Sequence, residues 1–168
     1  QYADIAVANN GSQYNPGGKV SILLNNGDGT FQDTVNYSVG DLACSVFACD
    51  LDGDNDSDLA TANSESDNIS ILLNNGDGTF QDAVNYSVGD EPTSIFACDL
   101  NGDNYPDLAV TYFELQHVSI LFNNGDGTFQ SAWYYGAGNV PLSIAIGDLN
   151  GDDRLDLAVA NYNGDNVS

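Results

Sequence analysis

Cationic side chains are almost missing from this 168-residue chain. It has two, Lys19 and Arg154, against 25 Asp and Glu, which gives a formal net charge of −23. Nucleic-acid binding needs a basic surface, so we expect neither DNA nor RNA as a partner. No segment approaches the roughly 20 consecutive apolar residues of a membrane-spanning helix, so we also expect no membrane insertion.

Cysteine is scarce as well. The chain has three, Cys44, Cys49 and Cys98, so at least one is unpaired and no disulfide framework can be inferred. Cys44 and Cys49 lie five residues apart on one predicted strand and point to opposite faces, which disfavours a bond between them. We expect all three to be small buried hydrophobic side chains.

Catalytic groups are equally sparse. His117 is the only histidine, and the chain offers neither a nucleophile-elbow serine nor a carboxylate pair that stands outside the repeats. A hydrolase would therefore have little to work with, and we predict that this chain is not an enzyme. A catalytic domain in flanking sequence remains an alternative.

What the chain does contain is an internal repeat of 49 residues. Segment 20–31 returns at 69–80 and 118–129, and segment 45–54 returns at 94–103 and, with changed core residues, at 143–152. The third copy has four apolar stretches, 93–100, 107–113, 117–123 and 128–135, bounded by Gly, Asn or Asp, which is typical of strands. Four antiparallel strands in 40 to 50 residues predict an all-β protein built of β-propeller blades.

About three and a half blades are present. We define blade A as 1–40, which starts at its second strand, blade B as 41–89, blade C as 90–138 and the start of blade D as 139–168. Propellers need four to eight blades, so the ring is completed by a longer polypeptide or by another copy. We favour the longer polypeptide, since both ends would otherwise supply a second strand. Five extra residues within 11–19 predict a longer surface loop in blade A.

An acidic nine-residue loop joins the first and second predicted strands of blades B, C and D. Oxygen-bearing side chains recur at its positions 1, 3, 5 and 9, whereas position 7 is variable. Positions 1, 3, 5 and 9 are Asp50, Asp52, Asp54 and Asp58 in blade B, Asp99, Asn101, Asp103 and Asp107 in blade C, and Asp148, Asn150, Asp152 and Asp156 in blade D. Position 7 is Asp56, Tyr105 or Arg154, so we expect a backbone carbonyl ligand there.

Such a set of oxygens predicts a calcium site. Calcium takes six to eight oxygen ligands, whereas magnesium demands a stricter octahedron and zinc prefers nitrogen and sulfur. The twelfth position, acidic in an EF-hand, is Thr61, Val110 or Val159. We therefore expect three calcium ions in hairpin loops. The alternative is a solvated turn, but carboxylates this close repel one another unless a cation lies among them.

The loop pattern Asp-x-(Asp/Asn)-x-Asp-x-x-x-Asp, followed by Leu-Ala-Val and later by Asn-Gly-Asp-Gly-Thr-Phe, resembles FG-GAP repeats, also called VCBS-type repeats. These form the propellers of integrin α-subunits and of bacterial and fungal relatives. The resemblance implies a seven-bladed propeller, secreted or on the cell surface, with calcium in the same loop residues. Half a ring is present, so a ligand site between blades can be incomplete.

These observations predict a calcium-stabilised extracellular module for adhesion, binding or scaffolding on a cell surface, matrix or filament. Its partner would be a protein or glycan ligand, or further blades. The alternative is a lectin-like propeller, for which the aromatic run 133–135 could stack on a sugar, although packing is favoured there. Glycosylation sequons begin at Asn10, Asn36, Asn55, Asn68, Asn85 and Asn166, and they matter only in a eukaryotic secretory protein.

Overall fold

The computed structural model describes residues 2–11, 17–113, 115–164 and 166–168. Within these ranges the regular structure is entirely β. No helix in the described part of the chain is long and apolar enough to cross a membrane. Most of the longer loop predicted within 11–19 lies outside the described residues.

Fourteen strands are described. They are β1 (Ile5–Asn9), β2 (Lys19–Leu23), β3 (Val35–Ser38), β4 (Ala43–Cys49), β5 (Asp58–Asn63), β6 (Asn68–Leu72), β7 (Val84–Ser87), β8 (Pro92–Cys98), β9 (Asp107–Tyr112), β10 (His117–Leu121), β11 (Trp133–Gly136), β12 (Pro141–Gly147), β13 (Asp156–Asn161) and β14 (Asn166–Val167).

The strands form four antiparallel sheets. Blades B and C are complete sheets with the orders β4-β5-β6-β7 and β8-β9-β10-β11. Blade A contributes β1-β2-β3 and blade D contributes β12-β13-β14. The predictions of an all-β protein and of four-stranded antiparallel blades are thus confirmed, while the seven-bladed ring stays a prediction.

Burial falls from the middle of each blade towards its outer strand. Every residue of β5 and of β9 is buried, whereas β11 is exposed along its whole length. Both faces of β5 and of β9 are therefore covered by protein, which explains why Leu-Ala-Thr-Ala and Leu-Ala-Val-Thr do not alternate apolar residues with exposed polar ones.

The outer strand differs from its prediction. In blade C it begins at Trp133 rather than near 128, and the hairpin before it is closed by one isolated bridge between Asn123 and Phe129. The Asp126 carboxylate accepts hydrogen bonds from the backbone N–H and the hydroxyl of Thr128. This side-chain turn competes with the strand ladder, and ladder pairing resumes only at Trp133.

Neighbouring blades pack face to face. One apolar cluster joins Leu51 and Ile71 of blade B to Ile95, Leu121 and Phe129 of blade C. The hairpin phenylalanines of blades B and C also meet a tyrosine of the preceding blade edge to face. The ring centroids of Tyr37 and Phe80 lie 5.3 Å apart, and those of Tyr86 and Phe129 lie 5.7 Å apart. Aromatic pairs favour this arrangement because the ring edge is positive and its face negative.

The cysteines are unpaired. Cys49 and Cys98 are half-buried, and burial raises the pKa of Cys49 to about 12, which keeps its thiol protonated. Cys44 is exposed, so the expectation of three buried cysteines is wrong for this residue. Its register explains the exposure, because the pairing of β4 with β5 shifts between Ala43 and Ser45 and leaves Cys44 out of the ladder.

A polar ladder crosses the three outer strands of a blade at the end opposite the acidic loop. In blade B, Asn63 donates to Ser70 Oγ at 2.8 Å, and Ser70 donates to Asn85 Oδ1 at 2.7 Å. Blade C replaces the first asparagine with Tyr112, whose buried hydroxyl bonds the Ser119 hydroxyl. These bonds satisfy polar groups that would otherwise be costly to bury.

Candidate functional site

The three acidic loops fold in the same way, on their own backbone amides. The position-1 carboxylates of Asp50, Asp99 and Asp148 each accept from the glycine amide at position 4, with a donor–acceptor distance of 2.7 Å in all three loops. The amide at position 6 donates to the other oxygen of the same carboxylate, at 2.9, 2.8 and 3.0 Å. Position 1 is therefore the organising residue of each loop.

Position 4 of each loop is glycine because the backbone there adopts a left-handed conformation. Gly53, Gly102 and Gly151 have φ angles of 85°, 85° and 82°, in the left-handed region that a Cβ atom disfavours. Asn55 and Asn104 follow two residues later with φ of 72°, a conformation that asparagine tolerates better than most residues. The sequence pattern thus dictates the tight bend that brings the loop carboxylates together.

Position 9 anchors the loop to the blade. Asp58 is fully buried, and its Oδ2 accepts from the Leu51 amide at 2.8 Å while its Oδ1 accepts from the Asn74 amide at 2.7 Å. Asp107 accepts from Leu100 and Asn123 in the same way, at 3.1 and 2.9 Å. This carboxylate therefore ties the acidic loop to the end of the third strand.

The acidic loops of blades B, C and D are called loops B, C and D. Loop B brings three carboxylates to one point. Oxygens of Asp50, Asp52 and Asp58 all lie within 4.8 Å of one another. Calcium–oxygen distances are about 2.3–2.6 Å, so ligands on opposite sides of a calcium ion lie about 5 Å apart. The donor set contains only oxygen, and its spacing therefore fits a calcium ion.

The remaining predicted residues take equivalent places. Asn101 and Asn150 accept from the position-5 amide at 2.9 Å, as Asp52 does at 3.2 Å. The position-5 carboxylates accept from the position-7 amides of Asp56, Tyr105 and Arg154, at 2.8, 2.9 and 3.0 Å. Because loops C and D carry asparagine at position 3, each has fewer carboxylates than loop B.

The electrostatics of loop B are unfavourable without a counter-ion. Burial raises the pKa of Asp58, and the charges of Asp52 and Asp54 raise it further against two backbone hydrogen bonds. Burial and the charges of Asp54 and Asp50 likewise raise the pKa of Asp52. In loop D the pKa of Asp148 is lowered, because backbone amides donate to a carboxylate that is fully exposed. A cation in loop B would favour the charged form of these carboxylates, whose pKa is raised chiefly by burial.

Two residues around the loops were missed by the sequence analysis. Leu51, at position 2 of loop B, is fully buried, although it lies in an acidic turn. Asn123, in the hairpin of blade C, donates from its side chain to the Leu51 carbonyl of the neighbouring blade at 2.8 Å. In the sequence, only their repetition could have pointed to these two residues, because leucine recurs at position 2 of every loop and asparagine at the start of every hairpin.

A groove between blades B and C lies at the end opposite the acidic loops. Its volume is about 500 Å³, and its lining combines an aromatic ring with hydroxyl and carboxylate groups. The lining residues are Leu42, Ser64, Glu65, Glu91, Thr93 and Phe113. Phe113 is 46% exposed, so its ring is open to a ligand.

One residue of the aromatic run and two of the six sequon asparagines occupy positions with a structural role in other blades. Tyr135 occupies the place of Tyr37 and Tyr86, whose rings pack on the hairpin phenylalanine of the following blade. Asn36 and Asn85 accept hydrogen bonds from strand serines, at 2.5 and 2.7 Å. Both asparagines therefore belong to the polar ladders of their blades.

Comparison with known proteins agrees with the repeat and the fold. The chain matches an FG-GAP-like repeat model over residues 1–61, 50–110 and 99–159. No curated protein sequence matches it. Among solved structures it is similar to an Agrocybe aegerita lectin, studied for specific recognition of non-reducing terminal N-acetylglucosamine, with a TM-score of 0.54 and 25% identity. The match covers 98% of this chain and 50% of the lectin chain, so this chain spans half the lectin's length. The three overlapping repeat matches, in step with the 49-residue period, establish that the chain belongs to the FG-GAP-like repeat family.

Proposed function

We propose that the chain is a calcium-stabilised binding module that acts outside the cell, in adhesion or in scaffolding of a surface, matrix or filament. The observation that carries the proposal is the convergence of Asp50, Asp52 and Asp58 within 4.8 Å. The same loop recurs in blades C and D, which gives three proposed sites.

Calcium would have a structural role here. Its charge would neutralise carboxylates that repel one another, and the side chains at positions 1, 3, 5 and 9 with the position-7 carbonyl would hold it. Extracellular modules bind calcium with dissociation constants of about 10⁻⁴ to 10⁻³ M, which suits a compartment rich in calcium. The described residues contain no disulfide, so the ion would stabilise the first hairpin of each blade in place of a covalent cross-link.

Thermal unfolding followed by circular dichroism tests the proposal. At a calcium concentration one hundred times the dissociation constant, one site stabilises the folded chain by about 2.7 kcal/mol. For a domain of this size that corresponds to a rise in Tm of about 5–11 °C. We expect calcium to restore the Tm after chelation and magnesium to fail.

Two charge-matched variants make the test specific. Asp50→Asn removes the organising carboxylate of loop B and should reduce the gain from calcium. Asp33→Asn removes the same charge at an exposed position outside the loops and should keep the full gain. A calcium role for the loop would be contradicted if calcium raised the Tm of both variants equally, or if chelation left the Tm unchanged.

A second candidate function is glycan binding in the groove at Phe113. It is favoured by the similarity to a lectin and by a lining that pairs an exposed ring with carboxylates and hydroxyls. Aromatic rings stack on the apolar face of a sugar, while carboxylates accept its hydroxyl hydrogens.

Calorimetric titration with N-acetylglucosamine, followed by a glycan array, tests this candidate. Phe113→Ala should abolish binding, whereas Trp133→Ala, which removes a 60%-exposed ring from β11, should leave it unchanged. Loss of binding only in Trp133→Ala would move the site to the outer strand. No binding to any glycan would leave the protein-adhesion function as the proposal.

A further inference from the structure

Four residues form a continuous hydrogen-bonded path between the acidic loops of blades B and C. The Leu51 amide donates to the Asp58 carboxylate of loop B at 2.8 Å. The Leu51 carbonyl accepts from Asn123 Nδ2 at 2.8 Å, and the Asn123 amide donates to the Asp107 carboxylate of loop C at 2.9 Å. Two position-9 carboxylates of adjacent blades are thereby joined through one asparagine.

Asn123 has little freedom to move from this arrangement. It is 3% exposed, and its Nδ2 also donates to the Pro106 carbonyl at 3.0 Å. Its Oδ1 accepts from the Gly125 amide at 2.8 Å. Any rotation of the side chain would leave buried polar groups without partners, which is costly in a low-dielectric interior.

Blade B contains a matched asparagine without the connection between blades. The Asn74 amide donates to Asp58 at 2.7 Å, its Nδ2 donates to the Ser57 carbonyl at 3.0 Å, and its Oδ1 accepts from Gly76 at 3.0 Å. In the described part of the chain, Asn74 makes no equivalent bond to the loop of another blade. Asn74 is therefore the matched position for a control variant.

We infer that Asn123 couples loops B and C, so that calcium binding in one loop raises the calcium affinity of the other. The inference rests on the proposed calcium function. An ion that fixes Asp58 also fixes the Leu51 amide bonded to it, and hence the carbonyl that holds Asn123. The Asn123 amide then presents Asp107 in its binding position. Thermodynamic linkage requires the effect to be equal in the reverse direction.

A calcium titration monitored by ¹H–¹⁵N correlation spectra resolves the three loops. The amides of Gly53, Gly102 and Gly151 each donate to the position-1 carboxylate of their own loop at 2.7 Å, so each reports its own site. Loop B is disabled by the double change Asp50→Asn and Asp52→Asn. We expect the affinity reported by Gly102 to fall at least about fivefold, while that reported by Gly151 changes little.

Asn123→Ala and Asn74→Ala separate the path from through-space charge effects. Both variants keep all loop charges, so electrostatic effects between the loops are the same in each. Disabling loop B should still weaken loop C in Asn74→Ala, but not in Asn123→Ala. In the calcium-free chain, amide hydrogen exchange at Leu51 should also be faster in Asn123→Ala than in Asn74→Ala.

The possible results distinguish this inference from the proposed function. If calcium shifts none of the three glycine amides, the calcium function itself fails. If calcium binds but the affinity of loop C does not change when loop B is disabled, the coupling is refuted. It is also refuted if disabling loop B changes that affinity equally in Asn123→Ala and Asn74→Ala. Should Asn123→Ala fail to fold, the pair Asn123→Leu and Asn74→Leu replaces the alanine pair, because leucine keeps the side-chain volume and removes the Nδ2 donor.

Discussion

Leucine occupies position 2 of all three acidic loops, and its surroundings differ in each. Leu51 is fully buried, Leu100 is half-buried and Leu149 is 66% exposed. Leu51 belongs to the apolar cluster shared by blades B and C, which includes Phe129. Substitution by alanine at positions 51 and 149 therefore compares one local sequence in two tertiary environments.

The expected magnitudes differ widely. Truncating a buried leucine to alanine removes its transfer free energy and leaves a cavity, at a cost of about 2–5 kcal/mol. For a domain of this size Leu51→Ala should lower the Tm by about 4–20 °C. Leu149→Ala, at an exposed position, should change stability by less than about 0.5 kcal/mol.

Urea unfolding followed by circular dichroism gives both free energies in one buffer. The slope of the free energy against urea should be the same for both variants, since neither substitution alters the surface exposed on unfolding appreciably. Equal losses at positions 51 and 149 would refute the packing of loop B beneath the hairpin of blade C. A large loss at 149 alone would reverse the assignment of the buried loop.

Three further outcomes follow from the core. Burial raises the pKa of Tyr112 to about 12, so ultraviolet titration should show a phenolate that forms only near that pH. Because the folded state favours the neutral phenol, this side chain stabilises the fold below about pH 10, and the stabilisation is lost as the pH rises to 12. Tyr112→Phe should abolish that loss. Ser70→Ala removes the fully buried hydroxyl at the centre of the blade B ladder and should cost about 1–3 kcal/mol in urea unfolding. Ser21→Ala, in the more exposed ladder of blade A, should cost less, and equal costs would contradict this reasoning. Phe129→Ala should cost about 3–5 kcal/mol and exposed Phe31→Ala much less, and the reverse order of melting temperatures would contradict the packing between blades.

Much of the fold could be predicted from the sequence. The 49-residue period, the apolar stretches and the bounding glycines predicted four strands per blade, because strand formation depends on local patterns that repeat. The loop spacing also placed oxygens at positions 1, 3, 5 and 9, since a glycine bend fixes those positions over nine residues. The start of the outer strand at Trp133 was missed, because the Asp126 side-chain turn interrupts the ladder.

The contacts between blades could not be read from the sequence. Asn123 and Leu51 are 72 residues apart, and nothing local distinguishes Asn123 from Asn74 or Leu51 from Leu149. Repeated segments with the same sequence have the same local preferences, so the sequence by itself determined the strands, the turns and the acidic loops. The burial of Leu51 and its bond to Asn123 were decided only by the tertiary structure, because both depend on the hairpin of blade C that packs over loop B.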